Sequence, residues 1–291
     1  WVVQEGFGDN VAIQLDQGWS GLSSYIQPSD PDIERVFEDI SGDLEIIQNL
    51  DGVYWPGQNI NTLVNWDMTS GYAIKTTNST SLSIYGNRNY SKTINLTSGW
   101  SIIPVLSSCE VPVYEIFGTV AWNMKIAKEV AGTKSFWPQY GINTIGNLQP
   151  GNAYYVLFQN NGFITFTECE DLKSVSVSKS HKPDPVQPWG VVEPSNSTHV
   201  IAIPEEVIKT SGLMPDDLLG VFSPSGSFVG NAKIETNANN AIVVFGKDIT
   251  LKSSSGIEEG SIMEFKVFRP ENEKTFLTEV EFEENLPQKG E

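Results

Sequence analysis

Aromatic side chains in polar loops are the residues of this chain best suited to binding chemistry. Four of them lie in loop-like stretches rich in asparagine, glutamine and glycine: Trp55, Trp66, Trp137 and Tyr140. Flat aromatic faces stack on a ligand at low entropic cost, and this composition is typical of carbohydrate-binding surfaces. It is equally typical of a loop that folds inward and packs its indole against the core. These four residues are therefore candidate ligand-binding residues.

A repeated stretch contains most of these candidates. Residues 53–74 (VYWPGQNINTLVNWDMTSGYAI) and 135–156 (SFWPQYGINTIGNLQPGNAYYV) carry Trp-Pro, Ile-Asn-Thr and an aromatic strand in the same order. The match extends outward, since Trp19 and Trp100 lie 81 positions apart in matching Gly-Trp-Ser sequences. Both of these tryptophans are predicted core residues. The chain thus contains one unit of about eighty residues twice, and each copy is long enough to be a small domain.

The repeat also suggests which candidates face solvent. Residues kept in both copies are best explained by the shared fold, so Trp55 and Trp137 are expected to be mostly buried. Trp66 corresponds to Leu148 in the second copy, which indicates that the fold does not require a tryptophan there. Trp66 and Tyr140 are therefore expected to be the more exposed, ligand-facing pair.

Catalytic motifs are absent from the sequence. It contains no G-x-S-x-G elbow, no H-E-x-x-H, no C-x-x-C and no glycine-rich phosphate loop. The prediction is a protein that is not an enzyme and has no cofactor. A hydrolase that assembles a carboxylate pair from distant loops is kept as an alternative, although a chain with 36 acidic residues always permits such a pair.

Calcium is the one metal that the sequence suggests. Asp216 and Asp217 place oxygen ligands together on a loop, without the residue order of an EF-hand. The other interpretation of these aspartates is ordinary turn chemistry.

The two cysteines, Cys109 and Cys169, both belong to the second copy. Two thiols in one small exported domain favour a disulfide across it. The alternative is a pair of buried thiols.

Each copy combines strands with one short helix. In SDPDIERVFEDI, Asp30 is the predicted N-cap and Pro31 the first helical residue. An apolar stripe with helical spacing follows in both copies, and it consists of Ile33, Val36, Phe37 and Ile40, then Val113, Ile116, Phe117 and Val120. The spacing predicts helices over 31–40 and about 112–118, and the remainder of each copy is typical of strands and hairpins.

The predicted fold class is mainly β, with two homologous α+β modules followed by a β-sandwich. The modules are assigned to residues 1–91 and 92–172, the β-sandwich to 199–291, and a proline-rich linker to 173–198. Only a few residues join the two copies, so they are expected to pack directly against each other.

Composition narrows the classes of partner. The formal net charge is −18 and the pI is near 4.4, which disfavours nucleic acid and anionic membrane surfaces. No apolar run approaches the roughly 20 residues of a membrane span, so membrane insertion is not expected. The opening on Trp1 indicates a mature product or a piece of a longer chain. N-glycosylation sequons occur at Asn78, Asn89, Asn95 and Asn196.

The repeat resembles a known bacterial family. Gly18-Trp19 and Gly99-Trp100, with Gly71-Tyr72 and Ala153-Tyr154 late in each copy, are similar to tandem modules of secreted Bacteroidetes proteins. The family consensus begins Gly-Trp-Asn-Leu-Ile and ends Gly-Tyr-Trp, and this chain departs from it at Ser20 and Ser101. Residues 199–291 resemble a β-sandwich module found late in such proteins. The resemblance implies an extracellular or cell-surface location without implying one activity.

These observations lead to one functional expectation and two alternatives. The expectation is a non-catalytic structural or adhesive segment of a secreted or cell-surface bacterial protein. The alternatives are a carbohydrate-binding accessory module of a larger extracellular enzyme and the hydrolase mentioned above. The expected partner is a glycan or another cell-surface protein.

Overall fold

The computed structural model describes most of the chain, namely residues 9–88, 91–167, 169, 176–177, 188–248, 250 and 256–282. The chain forms two compact units, of which the first comprises residues 1–130, 134–138 and 143–181 and the second the remaining residues. The fold is mainly β, as predicted. Within the described ranges, no helix combines the length and apolar character needed to cross a membrane.

The first copy of the repeat consists of eight strands and one helix. They are β1 (Asp9–Leu15), β2 (Gly18–Leu22), β3 (Ile26–Pro28), α1 (Ile33–Val36), β4 (Leu44–Gln48), β5 (Val53–Trp55), β6 (Ile60–Asn61), β7 (Tyr72–Thr76) and β8 (Thr80–Arg88). Short 3-10 turns follow at Glu38–Ile40 and Pro56–Gln58.

Most of these elements recur in the second copy. Its elements are β9 (Thr93–Leu96), β10 (Gly99–Pro104), β11 (Val111–Pro112), α2 (Val113–Phe117), β12 (Met124–Glu129), β13 (Ser135–Trp137), β14 (Ile142–Asn143), β15 (Asn147–Leu148), β16 (Ala153–Phe158) and β17 (Gly162–Thr165). Its 3-10 turns are Gly118–Val120 and Pro138–Tyr140, and β18 (Ser176–Val177) then pairs in parallel with β1.

Both copies have the same strand order. The sheet β2-β7-β4-β5-β6 in the first copy corresponds to β10-β16-β12-β13-β14 in the second. The strand before each sheet pairs with the last strand of its copy, β1 with β8 and β9 with β17. Even the irregularity early in β4 recurs in β12. The repeat in the sequence is thus a repeat of the fold.

Both helices lie within the predicted ranges, but the first is shorter than the predicted 31–40, because α1 covers only Ile33–Val36 and a 3-10 turn follows at Glu38–Ile40. Ile33, Phe37, Ile116 and Phe117 are buried in the core. The predicted N-cap was wrong by two residues, because Asp32 accepts from the backbone of the first turn and Asp30 instead accepts from the Asp32 N–H. Two aspartates on either side of a proline offer the same capping chemistry, and the sequence alone does not decide between them.

The two copies pack directly against each other, as predicted. Their apolar side chains form one continuous core. Strand β2 is equivalent to β10, and β7 is equivalent to β16. Because β2 contacts β16 and β7 contacts β10, each copy presents the same pair of strands to the other. The Gly71 N–H donates to Ile102 O over 2.9 Å, and the Ser23 N–H donates to Gly151 O over 3.0 Å. The copies are therefore related by an internal two-fold arrangement.

The second unit is β-rich, as predicted. Its described elements are β19 (Thr198–Ile203), α3 (Glu205–Ser211), β20 (Leu218–Phe222), β21 (Phe228–Lys233), β22 (Asn240–Phe245), β23 (Glu264–Arg269) and β24 (Lys274–Thr278). These strands form one antiparallel sheet in the order β19-β22-β21-β20-β23-β24.

Two features of this unit differ from the sequence analysis. Helix α3 was not predicted. Ile208 is the only buried residue among its seven, so the sequence contains no apolar stripe that would indicate a helix. Trp189, assigned to the linker, packs over Gly220, where a side chain would collide with the indole. About half of the predicted linker, residues 173–175 and 178–187, lies outside the described residues.

Candidate functional site

The repeated Ile-Asn-Thr sequence closes a loop in each copy. The Val53 N–H donates to Thr62 Oγ1 over 2.9 Å, and the Thr62 N–H donates to Val53 O over 2.8 Å. In the second copy Ser135 and Thr144 form the same pair of bonds, both 2.8 Å long. Each threonine thus fastens the Trp-Pro loop to the strand from which it departs.

The asparagine of the same sequence holds a backbone position in the left-handed conformation. Asn61 Oδ1 accepts from the Val64 N–H, and Asn143 Oδ1 accepts from the Gly146 N–H. Val64 and Gly146 both have positive φ angles, 59° and 69°. Their carbonyls in turn accept from the first residue of α1 and α2. The repeated sequence is therefore structural, since its polar groups are used to hold the loop and the helix together.

The tyrosine that ends each repeated stretch has a similar role. The Tyr72 hydroxyl accepts from the Asp67 N–H over 2.7 Å, and the Tyr154 hydroxyl accepts from the Gln149 N–H over 3.0 Å. Burial raises the pKa of both tyrosines above the ordinary value. Both hydroxyls therefore stay protonated and hold the loop.

The prediction that Trp66 is exposed was wrong. Its side chain is 2% exposed, stacks on Tyr72 with ring centroids 4.6 Å apart, and lies near Phe37. The equivalent Leu148 is also buried. The position requires an apolar side chain, and the difference between tryptophan and leucine is a difference in core packing. Trp66 is therefore not available to a ligand at the surface.

The other three candidates are intermediate. Trp55, Trp137 and Tyr140 are all half-buried, so the expected contrast between buried tryptophans and an exposed tyrosine is not present. The Trp55 indole lies beside its own 3-10 turn, with Nε1 near Gly57.

Two tryptophans that were not candidates, Trp100 and Trp122, are exposed to solvent. Trp19 is 8% exposed, as a core residue should be, whereas the equivalent Trp100 is 40% exposed, and its assignment to the core was wrong. Trp122, at 76%, is the most exposed tryptophan among the described residues whose exposure is given. The sequence gives little sign of this, because the exposure of Trp100 depends on how the copies pack.

Trp100 lines a groove between the two copies. The first copy contributes loops at 49–51 and 69–71, and the second contributes residues 93–97 and 100–103. The groove has a volume of about 460 Å³. It contains one carboxylate, from Asp51, among its described lining residues, whereas glycoside hydrolysis generally uses two. This groove is the candidate functional site.

The predicted disulfide is present. Cys109 and Cys169 are bonded, with their Cα atoms 5.9 Å apart. The bond ties the segment that follows β17 to the segment between β10 and β11, so the second copy is closed by a covalent link that the first lacks.

The aspartates suggested for calcium have cationic partners. Asp217 is buried and accepts two bonds from the Arg269 guanidinium, at 2.8 and 3.0 Å, and a third from the Met214 N–H. Asp216 is paired with Lys233. Among the residues that the structure describes, no group of three or more acidic, histidine or cysteine side chains is placed to hold a metal. The calcium prediction gains no support from this loop.

Comparisons with known proteins give no match. Neither the protein-family models, the curated proteins nor the solved structures that were compared with the chain returned a match.

Proposed function

We propose that this chain is a non-catalytic structural and adhesive segment of a secreted or cell-surface protein. The observation that carries the proposal is the continuous core shared by the two copies. A shared core makes the pair one platform in which neither copy moves independently. Such a platform is suited to holding a binding surface in a fixed position.

The disulfide supports a location outside the cell. Disulfides persist in oxidising compartments and are rare in reducing ones. The resemblance to modules of secreted Bacteroidetes proteins points in the same direction.

Carbohydrate binding is the second candidate function. The observation that favours it is the exposed indole of Trp100 in a groove lined with hydroxyl and amide groups. The original candidates for this role, Trp66 above all, do not form the surface that it requires.

The test of the adhesive function is retention of beads under flow. Beads coated with the full chain are expected to stay on preparations of cell surface that carry glycans and proteins. Beads coated with the reduced and alkylated chain provide the control for charge and composition. Equal retention of both coatings would refute specific adhesion, and release of soluble sugar or peptide from the surface would support the hydrolase alternative.

A further inference from the structure

We infer that the groove between the copies binds a neutral carbohydrate, which stacks on the indole of Trp100. The inference rests on the second candidate function and names its site and ligand class. It moves that function from the Trp-Pro loops to the contact between the copies.

Trp100 is much more exposed than its equivalent in the first copy. Trp19 and Trp100 occupy the same position at the start of β2 and β10, yet the exposed fraction rises from 8% to 40%. Because the fold can bury a tryptophan at this position, the shared fold does not explain why Trp100 is exposed. The loop after β4 (residues 49–52) is one residue shorter than the equivalent loop after β12 (residues 130–134). In the shorter loop Leu50 is exposed, whereas Val130 in the longer loop is buried. The groove is open on the side of Trp100.

The indole ring of Trp100 is held by its neighbours. The Tyr155 ring meets Trp100 edge to face, with centroids 6.2 Å apart. Lys128 Nζ lies 5.2 Å from the centre of the same ring. The backbone of Trp100 is fixed by pairing of β10 with β16. An aromatic surface held in this way loses little conformational entropy when a ligand stacks on it.

The lining of the groove has the hydrogen-bonding chemistry that a neutral sugar requires. Side chains with neutral hydroxyl or amide groups predominate around the indole, and they include Asn49, Thr69, Ser70, Thr93, Asn95 and Ser101. Such groups both donate and accept hydrogen bonds, as sugar hydroxyls do. Asp51 is the single charged residue among the described lining residues, so the groove offers little to an anionic ligand. Its volume of about 460 Å³ lies within the range usual for small-molecule sites.

The lining also disfavours a peptide ligand. The apolar residues Ile94, Leu96, Ile102 and Ile103 are buried, so they form the floor without offering pockets for apolar side chains. Among the described lining residues, the Trp100 indole and the side chain of Leu50 are the apolar groups that reach solvent, and the groups around them are polar. A single exposed leucine does not form a pocket for a peptide side chain.

A sugar could also come from the chain itself. Asn95 is exposed, lines the groove, and begins an Asn-Leu-Thr sequon. A glycan attached there would occupy the site in place of an external ligand. The protein must therefore be produced in a host that does not glycosylate asparagine, and a glycosylated preparation then serves as a blocked form.

The experiment is a screen of the unglycosylated full chain on an array of neutral and acidic oligosaccharides, followed by calorimetric titration of the best neutral ligand. Trp100→Ala is expected to weaken binding about tenfold, the factor produced by ~1.4 kcal/mol of lost contact. Trp122→Ala is the matched control, because it removes an exposed indole outside the groove and should leave affinity unchanged. Asp51→Asn should change affinity for a neutral ligand by less than about threefold.

Several results would overturn the inference. They are the absence of neutral-sugar binding at millimolar concentration, binding of acidic sugars alone, or equal losses in Trp100→Ala and Trp122→Ala. Circular dichroism of each variant separates loss of the site from loss of the fold. If wild-type beads are retained but no oligosaccharide on the array is bound, the carbohydrate site is refuted and the adhesive function is not.

Discussion

Trp19 and Trp100 are equivalent residues of two copies with one strand order, yet one is buried and the other is a third to a half exposed. The motif residues show the opposite behaviour, since Thr62 and Thr144 make the same hydrogen bonds in both copies. The comparison teaches that the repeated sequence specifies the fold of each copy. The surface is determined by the residues that surround the repeat and by the contact between copies.

The largest expected effect comes from the disulfide, which distinguishes the second copy. Replacing Cys109 and Cys169 together by serine opens a link between residues 60 positions apart. The free energy of unfolding should fall by about 4 kcal/mol, because the unfolded chain regains the entropy of that loop. Urea denaturation of the full chain measures it, and the reduced wild type should match the variant. A loss below about 1 kcal/mol would show that the second copy does not depend on the bond.

The equivalent tryptophans should respond differently to truncation. Trp19→Ala empties a buried site and should cost about 3 kcal/mol, at the lower end for a large aromatic residue. Trp100→Ala removes a partly exposed side chain and should cost about 1 kcal/mol. Denaturation monitored by circular dichroism provides both values. Equal costs would contradict the difference in exposure between the copies.

The contact between the copies can be tested at Gly71. A methyl group there would lie 2.6 Å from Ile103 O and 2.9 Å from the Ala153 Cβ. Gly71→Ala should therefore cost about 2 kcal/mol through overpacking. Gly42→Ala is the control, since nothing lies within 4 Å of the added carbon. If both variants have the same thermal midpoint, the copies do not meet as closely as described.

The smallest effect is expected where the copies are alike. Tyr72→Phe and Tyr154→Phe each remove a hydroxyl that accepts from a loop N–H. Each should cost about 1 kcal/mol, and the two costs should agree to within about 1 kcal/mol, because each variant loses the same bond from a loop N–H. The second bond of each hydroxyl differs, since Tyr72 donates to Asp67 O over 3.0 Å and Tyr154 bonds with the Asn152 side chain. Tyr114→Phe, at an exposed tyrosine, is the control in the same urea titrations. A clear inequality between Tyr72 and Tyr154 would break the equivalence of the two loops.

The fold was largely predictable because the same pattern of apolar and polar residues occurs in both copies of the repeat. The apolar stripe of Ile33 and Phe37 recurs at Val113 and Phe117, and both lie in the core. The candidate site was not predictable in the same way. Exposure of Trp100 and burial of Trp66 depend on contacts between distant segments, and a comparison of the copies residue by residue does not contain those contacts. A substitution such as Trp66 for Leu148 is compatible with both a ligand site and a repacked core.

The exchange of partners between β2, β7, β10 and β16 has a consequence for the origin of the chain. A contact in which each surface meets its own equivalent is the isologous contact of a symmetric homodimer. A single copy of this repeat, expressed alone, would present a self-complementary surface through which two identical chains could form a dimer. The first unit therefore has the architecture of a homodimer whose two subunits have been joined into one polypeptide. Once joined, the two equivalent tryptophans could diverge, with one remaining in the core and the other opening to solvent.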